Sequence, residues 1–277
     1  MPVVRTSTLL GFTLAALAAA GCSDTPSPTQ PPPGGTPAVL LKDMIVANLP
    51  SPYYHFEYAP SGQITRVSFA SQFLDYSVQY QNARITELHD SAVGNFNRLE
   101  YHYDAVGRVD TVNYHDNAGA LYARVLLTYS GSQLVRLDRE RMLDTLGLVL
   151  EKTMTFSYYP DGNVQDIVDH RPEVPGRQAD GTSVDHFERY DDNVNVDAFG
   201  LIHNDFFDHV VLLPNVVLQK GNPARETFTS ADINYRFDYV YTFDGSKRPL
   251  TKGGTATVLS GPDSGQVIPL STTFSYY

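Results

Sequence analysis

The chain has 277 residues, a net charge of −11 and 42% apolar residues, a balance that supports a sizeable core and excludes a disordered chain. No run of Lys and Arg is present to neutralise phosphates, which argues against nucleic acid and against charge-driven adhesion to anionic lipid. The 18 Tyr and 14 Phe without any Trp favour strands, and a single Cys excludes an internal disulfide.

The N-terminal residues read as an export signal. Arg5 supplies the positive start, and Leu9 to Ala20 form an uncharged apolar stretch, shorter than the roughly 20 residues that span a bilayer. The stretch ends in Ala19-Ala20-Gly21-Cys22, which resembles the lipobox of bacterial lipoproteins, with Ala19 where that box usually has Leu. The resemblance implies a signal peptide over 1–21 and a diacylglycerol thioether on Cys22, the lipidation site. A second acylation at the new amine supplies the additional chain that stable anchoring needs. Ser23 rather than Asp follows the Cys, which in Gram-negative lipoproteins implies the outer membrane.

Residues 22–37 then read as an acylated Cys and a proline-rich tether. It reaches about 45 Å when extended, at roughly 3.1 Å per residue. Everything from 38 to 277 is expected to be one β domain.

Within that domain a degenerate repeat recurs. Phe56/Tyr58 precede Gly62, Tyr101/Tyr103 precede Gly107, Phe156/Tyr158 precede Gly162, and Tyr239/Tyr241 precede Gly245. Aromatics two apart share one face of a strand, and the polar glycine segments supply turns. Apolar pairs three apart follow at Ile64/Val67, Val109/Val112 and Val164/Ile167, and recur at Ile85/Leu88 and Leu134/Leu137. A spacing of three breaks strand alternation. A bulge at the start of the second strand restores both members to the dry face.

The block Tyr103-Asp104-Ala105-Val106-Gly107-Arg108-Val109 resembles the YD repeat of the Rhs and teneurin families. The chain is similar, weakly and over about 50–277, to small lipoproteins of unknown function with YD-like hairpins, and Tyr190-Asp191-Asp192-Asn193 fits the same pattern. The resemblance implies an all-β antiparallel meander of hairpins, forming a curled sheet or a barrel, and carries no firm activity.

Farther on, Phe199, Ile202, Phe206 and Val210 fall at helical spacing, which predicts one short helix or compact loop near 198–213, stopped by Pro214. Phe237 to Phe243 is the clearest strand, and Gly261 to Gly265 turns the chain between the last two strands. Counting back by twos from Tyr277 gives Ser275, Thr273, Ser271 and Pro269. That face is polar, unlike the lipid-facing ending of an outer-membrane barrel.

Candidate chemistry is sparse. Asp191, Asn193, Asn195 and Asp197 alternate as in a calcium loop, but Val196 replaces the glycine and Ile202 the terminal acid, so a turn with local side-chain bonds is favoured. His203, Asp205 and His209 lack zinc spacing, and no metal or other cofactor is expected. Gly-x-Ser-x-Gly and His-Glu-x-x-His are both missing, and Ser130-Gly131-Ser132 reads as a hairpin tip. The expected role is therefore non-enzymatic, a membrane-anchored envelope module for binding or scaffolding. Its ligand classes are a glycan, a partner protein or an apolar molecule. The alternatives are an envelope hydrolase built from dispersed carboxylates and His, and a purely structural lipoprotein.

Overall fold

The computed structural model describes residues 39–91, 97–202 and 212–277. Cys22 and the tether lie outside the described residues, as do His203, Asp205 and His209. The first eight strands are β1 (Leu41–Val46), β2 (Tyr54–Tyr58), β3 (Ile64–Phe69), β4 (Leu74–Gln81), β5 (Arg84–Asp90), β6 (Arg98–Tyr103), β7 (Val109–His115) and β8 (Leu121–Ser130). They are followed by β9 (Gln133–Leu143), β10 (Gly147–Tyr158), β11 (Val164–Arg171), β12 (Gly181–Tyr190), β13 (Pro223–Thr229), β14 (Tyr235–Phe243), β15 (Pro249–Val258) and β16 (Val267–Tyr276). Each strand pairs antiparallel with its sequence neighbours, and β1 also pairs with β16, closing a sixteen-stranded barrel. Of the two forms expected, curled sheet or barrel, the closed one is found.

The bulges fall where the apolar pairs require them. Tyr58 pairs with Ile64 while Glu57 pairs with Arg66, so one residue is skipped on β3. The same skip occurs between β4 and β5, β6 and β7, β8 and β9, and β10 and β11. It leaves both members of each later pair facing inward. Val109 and Val112 are fully buried, and Val164 and Ile167 nearly so. Gly107 sits at φ +89°, in the left-handed region that a side chain strains to enter.

The second tyrosine of each unit ties neighbouring hairpins together. Tyr80 donates its hydroxyl to the carbonyl of Ile64, Tyr103 to Ile85, Tyr129 to Val109, Tyr158 to Leu134 and Tyr190 to Val164, at 2.7–2.9 Å. Each acceptor is the first apolar residue of the preceding hairpin's return strand. The ladder to the next strand starts two residues later, at Arg66, Glu87, Thr111, Arg136 and Asp166, so this carbonyl needs another partner.

One unit is displaced from its sequence alignment. Phe243, not Tyr241, pairs with the bulge residue, here Pro249. Asp244 then repeats the role of Asp104. Its Oδ1 accepts the amides of Ser246 and Arg248, as Asp104 accepts those of Val106 and Arg108. Lys247, at φ +61°, takes the place of Gly107, and Gly245 is not the counterpart glycine.

The two faces of the wall differ sharply. Inward, Phe56, Phe69, Tyr76, Leu88, Leu99, Tyr101, Tyr114 and Phe156 form a continuous buried core along β2 to β10. Outward, charges of opposite sign face each other across strands. Examples are Asp43 with His55 at 2.6 Å, Glu87 with Arg98 at 3.0 Å, Arg124 with Glu140 at 2.8 Å, Asp166 with His186 at 2.6 Å and Arg225 with Asp238 at 2.8 Å. Such exposed pairs are worth only about 0–1 kcal/mol each, so their effect is to keep the wall wet and in register.

Candidate functional site

The hairpin rhythm breaks between β12 and β13, where residues 191–222 form a long insertion in place of a tight turn. Of the short helix or compact loop expected near 198–213, the described residues show the compact loop with a single 3-10 turn, Ala198–Leu201, and residues 203–211 lie outside the described residues. Phe199 turns into the barrel, while Phe206 and Val210 lie outside the described residues. The Phe199 ring meets Tyr54 edge-on at 4.9 Å and Phe56 at 5.5 Å, both on β2.

Polar side chains hold the insertion in place. Asp191 accepts the amides of Asn193 at 3.0 Å and Asn222 at 2.9 Å. Asn195 accepts the amides of Asp197 and Ala198, and Asn163 accepts those of Lys220 and Gly221 from the base of the loop. A Cβ on Gly221 would stand 2.0 Å from the Asp191 carbonyl, so only glycine allows this approach. Asp197 receives Lys252 Nζ of β15 at 2.9 Å. The alternating acids and amides of the calcium-like segment thus serve as turn and anchor groups. No cluster of metal-ligating side chains occurs among the described residues.

Between the insertion and the wall lies a cavity of about 750 Å³. It opens at the end where the chain enters β1, beside the β2–β3, β4–β5 and β6–β7 turns. Leu41, Phe56, Ile64 and Ile85 line it from the wall, and Val196, Phe199, Leu212 and Val216 from the insertion. Tyr58, Tyr80 and Tyr103 line it as well, their hydroxyls engaged by the carbonyls of Leu41, Ile64 and Ile85. Burial, then the neighbouring Tyr277 and Tyr80, push the Tyr58 hydroxyl up to about 12. Among the described residues that line the cavity, none is a carboxylate, histidine, serine or cysteine; Arg84 is the one charged group.

A second internal group lies on β12 to β15. Tyr239 donates to Glu226 at 2.8 Å, and Lys252 sits 4.6 Å over the Tyr239 ring. Burial raises the Glu226 carboxyl, opposed by the Tyr239 bond. Burial would lower Lys252, but Asp197 and Tyr241 hold it above its ordinary value. Burial, with Glu226 and Asp169 repelling, raises Asp185 to about 7. No sequence motif marks these residues. The one signal is their position on inward registers of strands whose other inward residues are aromatic, as with Glu226 and Phe228.

Fold and site together define a class, a closed meander barrel with a charged outer wall, an aromatic interior and an inserted loop that walls off an apolar cavity. No family model matches the sequence, and no curated protein matches it. Among solved structures, the barrel is similar to a porin-like protein from Bacteroides uniformis, with a TM-score of 0.55 and 12% identity over 81% of this chain and 89% of that one. It is also similar to a porin-like protein from Bacteroides vulgatus, with a TM-score of 0.57 and 11% identity over 86% of this chain and 99% of that one. At such identities the likeness shows a shared fold.

Proposed function

We propose that the protein is a lipoprotein of the bacterial outer membrane, held through acylated Cys22 and its tether. Its barrel stands in water as a non-enzymatic binding module for an apolar, acyl-like molecule. The carrying observation is the cavity of about 750 Å³, apolar in its lining and within the roughly 300–1,000 Å³ typical of small-molecule sites. Among the described residues, its lining offers few polar groups to orient a glycan and no carboxylate, histidine, serine or cysteine for hydrolysis. Val39 and Leu41, at the start of the described barrel, both line the cavity.

The outer wall supports a barrel that does not span the bilayer. Asp43, Glu87, Arg98, Arg124, Asp166 and Arg225 face outward. A charged side chain at mid-membrane costs about 2.5–3.5 kcal/mol on insertion scales, which makes lipid contact untenable for this face. The porin-like neighbours therefore share the architecture, and this wall suits water.

Titrating the purified protein with a fluorescent long-chain fatty acid tests the reading. Saturable binding is expected, with Ala198→Trp filling the cavity and Val106→Asp charging its rim, each weakening it about tenfold or more. Absence of binding by the wild type, or full binding by both variants, refutes it. For the anchor, mass spectrometry of membrane-extracted protein should show diacylglycerol on Cys22 and none in Cys22→Ser.

A further inference from the structure

Arg84, the one charged group among the described residues that line the apolar cavity, occupies a repeated position. It immediately precedes Ile85, which pairs with Tyr80 at the bulge of the β4–β5 hairpin. Arg108 stands in the same place before Val109, and Arg248 before Pro249. Each of the three guanidinium groups lies over a tyrosine ring. Arg84 is 5.2 Å from the centre of Tyr103, Arg108 4.7 Å from Tyr129, and Arg248 4.5 Å from Tyr276.

The three differ in what meets their charge. Arg108 Nε donates to Asp104 Oδ2 at 2.7 Å, and Arg248 Nε to Asp244 Oδ2 at 2.7 Å. In both hairpins the acid directly follows the aromatic residue paired at the bulge, Tyr103 or Phe243. After Tyr80 the corresponding residue is Gln81. The β4–β5 turn thus keeps the arginine and lacks its acid. Asp104, on the neighbouring hairpin, is already held by the amides of Val106 and Arg108 and by the Arg108 side chain. Among the described residues, no carboxylate forms an ion pair with Arg84.

The guanidinium is also held in position. A Cβ on Gly107 would stand 2.7 Å from Arg84 Nη2, so the glycine leaves the space that the side chain fills. Tyr103 and Gly107 both line the cavity, which places the charge at its rim between a ring face and a turn. Inward from it the lining is apolar, with Ile64 and Ile85 on the wall and Leu212 and Val216 on the insertion. Of the polar lining groups there, Asn195 is spent on the amides of Asp197 and Ala198, and Gln219 donates to the Tyr190 hydroxyl at 3.0 Å. A guanidinium presents a planar fork of donors that matches a carboxylate.

We infer that the ligand of the cavity carries a carboxylate head and that Arg84 selects it. The ligand class is a long-chain fatty acid, its chain against the apolar lining and its head on the Arg84 fork. This rests on the reading of the cavity as an apolar-binding site and adds the charge that the site requires of its occupant.

The test is calorimetric titration of the purified protein at about pH 8, where a fatty carboxyl is ionised, with dodecanoate, dodecanol and dodecyltrimethylammonium, all below micelle formation. Dodecanoate should bind about fivefold or more tightly than dodecanol, with the cationic amphiphile weakest. Arg84 is exposed, so Arg84→Gln should retain the thermal midpoint while the ratio of acid to alcohol affinity falls to near one. Equal binding of acid and alcohol by the wild type, or a preference for the acid that survives in folded Arg84→Gln, overturns the role of Arg84 and leaves the apolar-binding reading standing. Binding of none of the three amphiphiles overturns both.

Discussion

Replacing Asp185 with Asn should stabilise the protein, and increasingly so as pH rises. Burial, and then repulsion from Glu226 and Asp169, raise this carboxyl from 3.8 to about 7. Between those values the folded chain holds a proton that the unfolded chain has released. Stability is therefore lost as pH rises through this window, intact below the lower value and reduced in full above the upper. Three units correspond to about 4 kcal/mol. Part of the side chain still meets solvent, so screening reduces the expected cost to about 2 kcal/mol. Asn keeps the shape of the protonated acid and cannot ionise, and it also removes a repelling neighbour from Glu226. Urea denaturation of both proteins at about pH 4 and about pH 8 should show near-equal stability at the first and a gain of about 2 kcal/mol for Asp185→Asn at the second. For a chain of this size the corresponding rise in Tm is roughly 4–8 °C. A variant that is no more stable at the higher pH, or whose advantage does not grow with pH, would show that Asp185 is not held protonated inside the wall.

Three further outcomes follow from the repeat. Tyr103→Phe removes the 2.8 Å bond to the Ile85 carbonyl and should cost about 1 kcal/mol in urea unfolding; an unchanged midpoint would show that water replaces the bond freely. Gly107→Ala forces a side chain to φ +89° with the Arg84 guanidinium 2.7 Å from the new Cβ, and should cost about 1–2 kcal/mol by the same assay. Lys247→Gly relieves a left-handed lysine and should gain up to about 1 kcal/mol; a loss would contradict the equivalence of Lys247 and Gly107.

That equivalence shows what was legible in the residues and what was not. Val109 and Val112, three apart, required a bulge, and the pairing skips a residue there. The tyrosines were readable as core-facing, because one face of each hairpin must be dry. In the last unit Gly245 is a false marker, since Lys247 holds the position of Gly107. The conserved geometry instead belongs to Asp244 and Arg248, which close the turn around any residue that tolerates positive φ. Closure could not be seen either. It rests on β1 meeting β16, Met44 against Phe274, and nothing local to either segment specifies a partner so distant. On β9 the inward Arg139 and Arg141 alternate with outward Asp138 and Glu140, so charge falls on both faces and the period that betrays a buried side disappears.

The position of the apolar cavity follows from the same repeat by its interruption. A circle of sixteen strands is wide enough to enclose a water-filled bore. Along β2 to β10 the inward side chains meet as a dry core, with Tyr76 and Tyr114 almost wholly buried. The regular units there end in turns a few residues long, which can cap an edge but cannot reach across an interior. Among the described residues, those of the 191–222 connection reach inward, touching β2 through Phe199 and β15 through Asp197. Long connections in a domain of tight turns are where binding function concentrates. Here Asp191, Asn163, Asn195 and Gly221 fix its two described ends by hydrogen bonds and close approach, and Val196, Phe199, Leu212 and Val216 form one wall of the pocket. The break in the hairpin rhythm, more than any residue motif, is thus the mark of the cavity in the sequence.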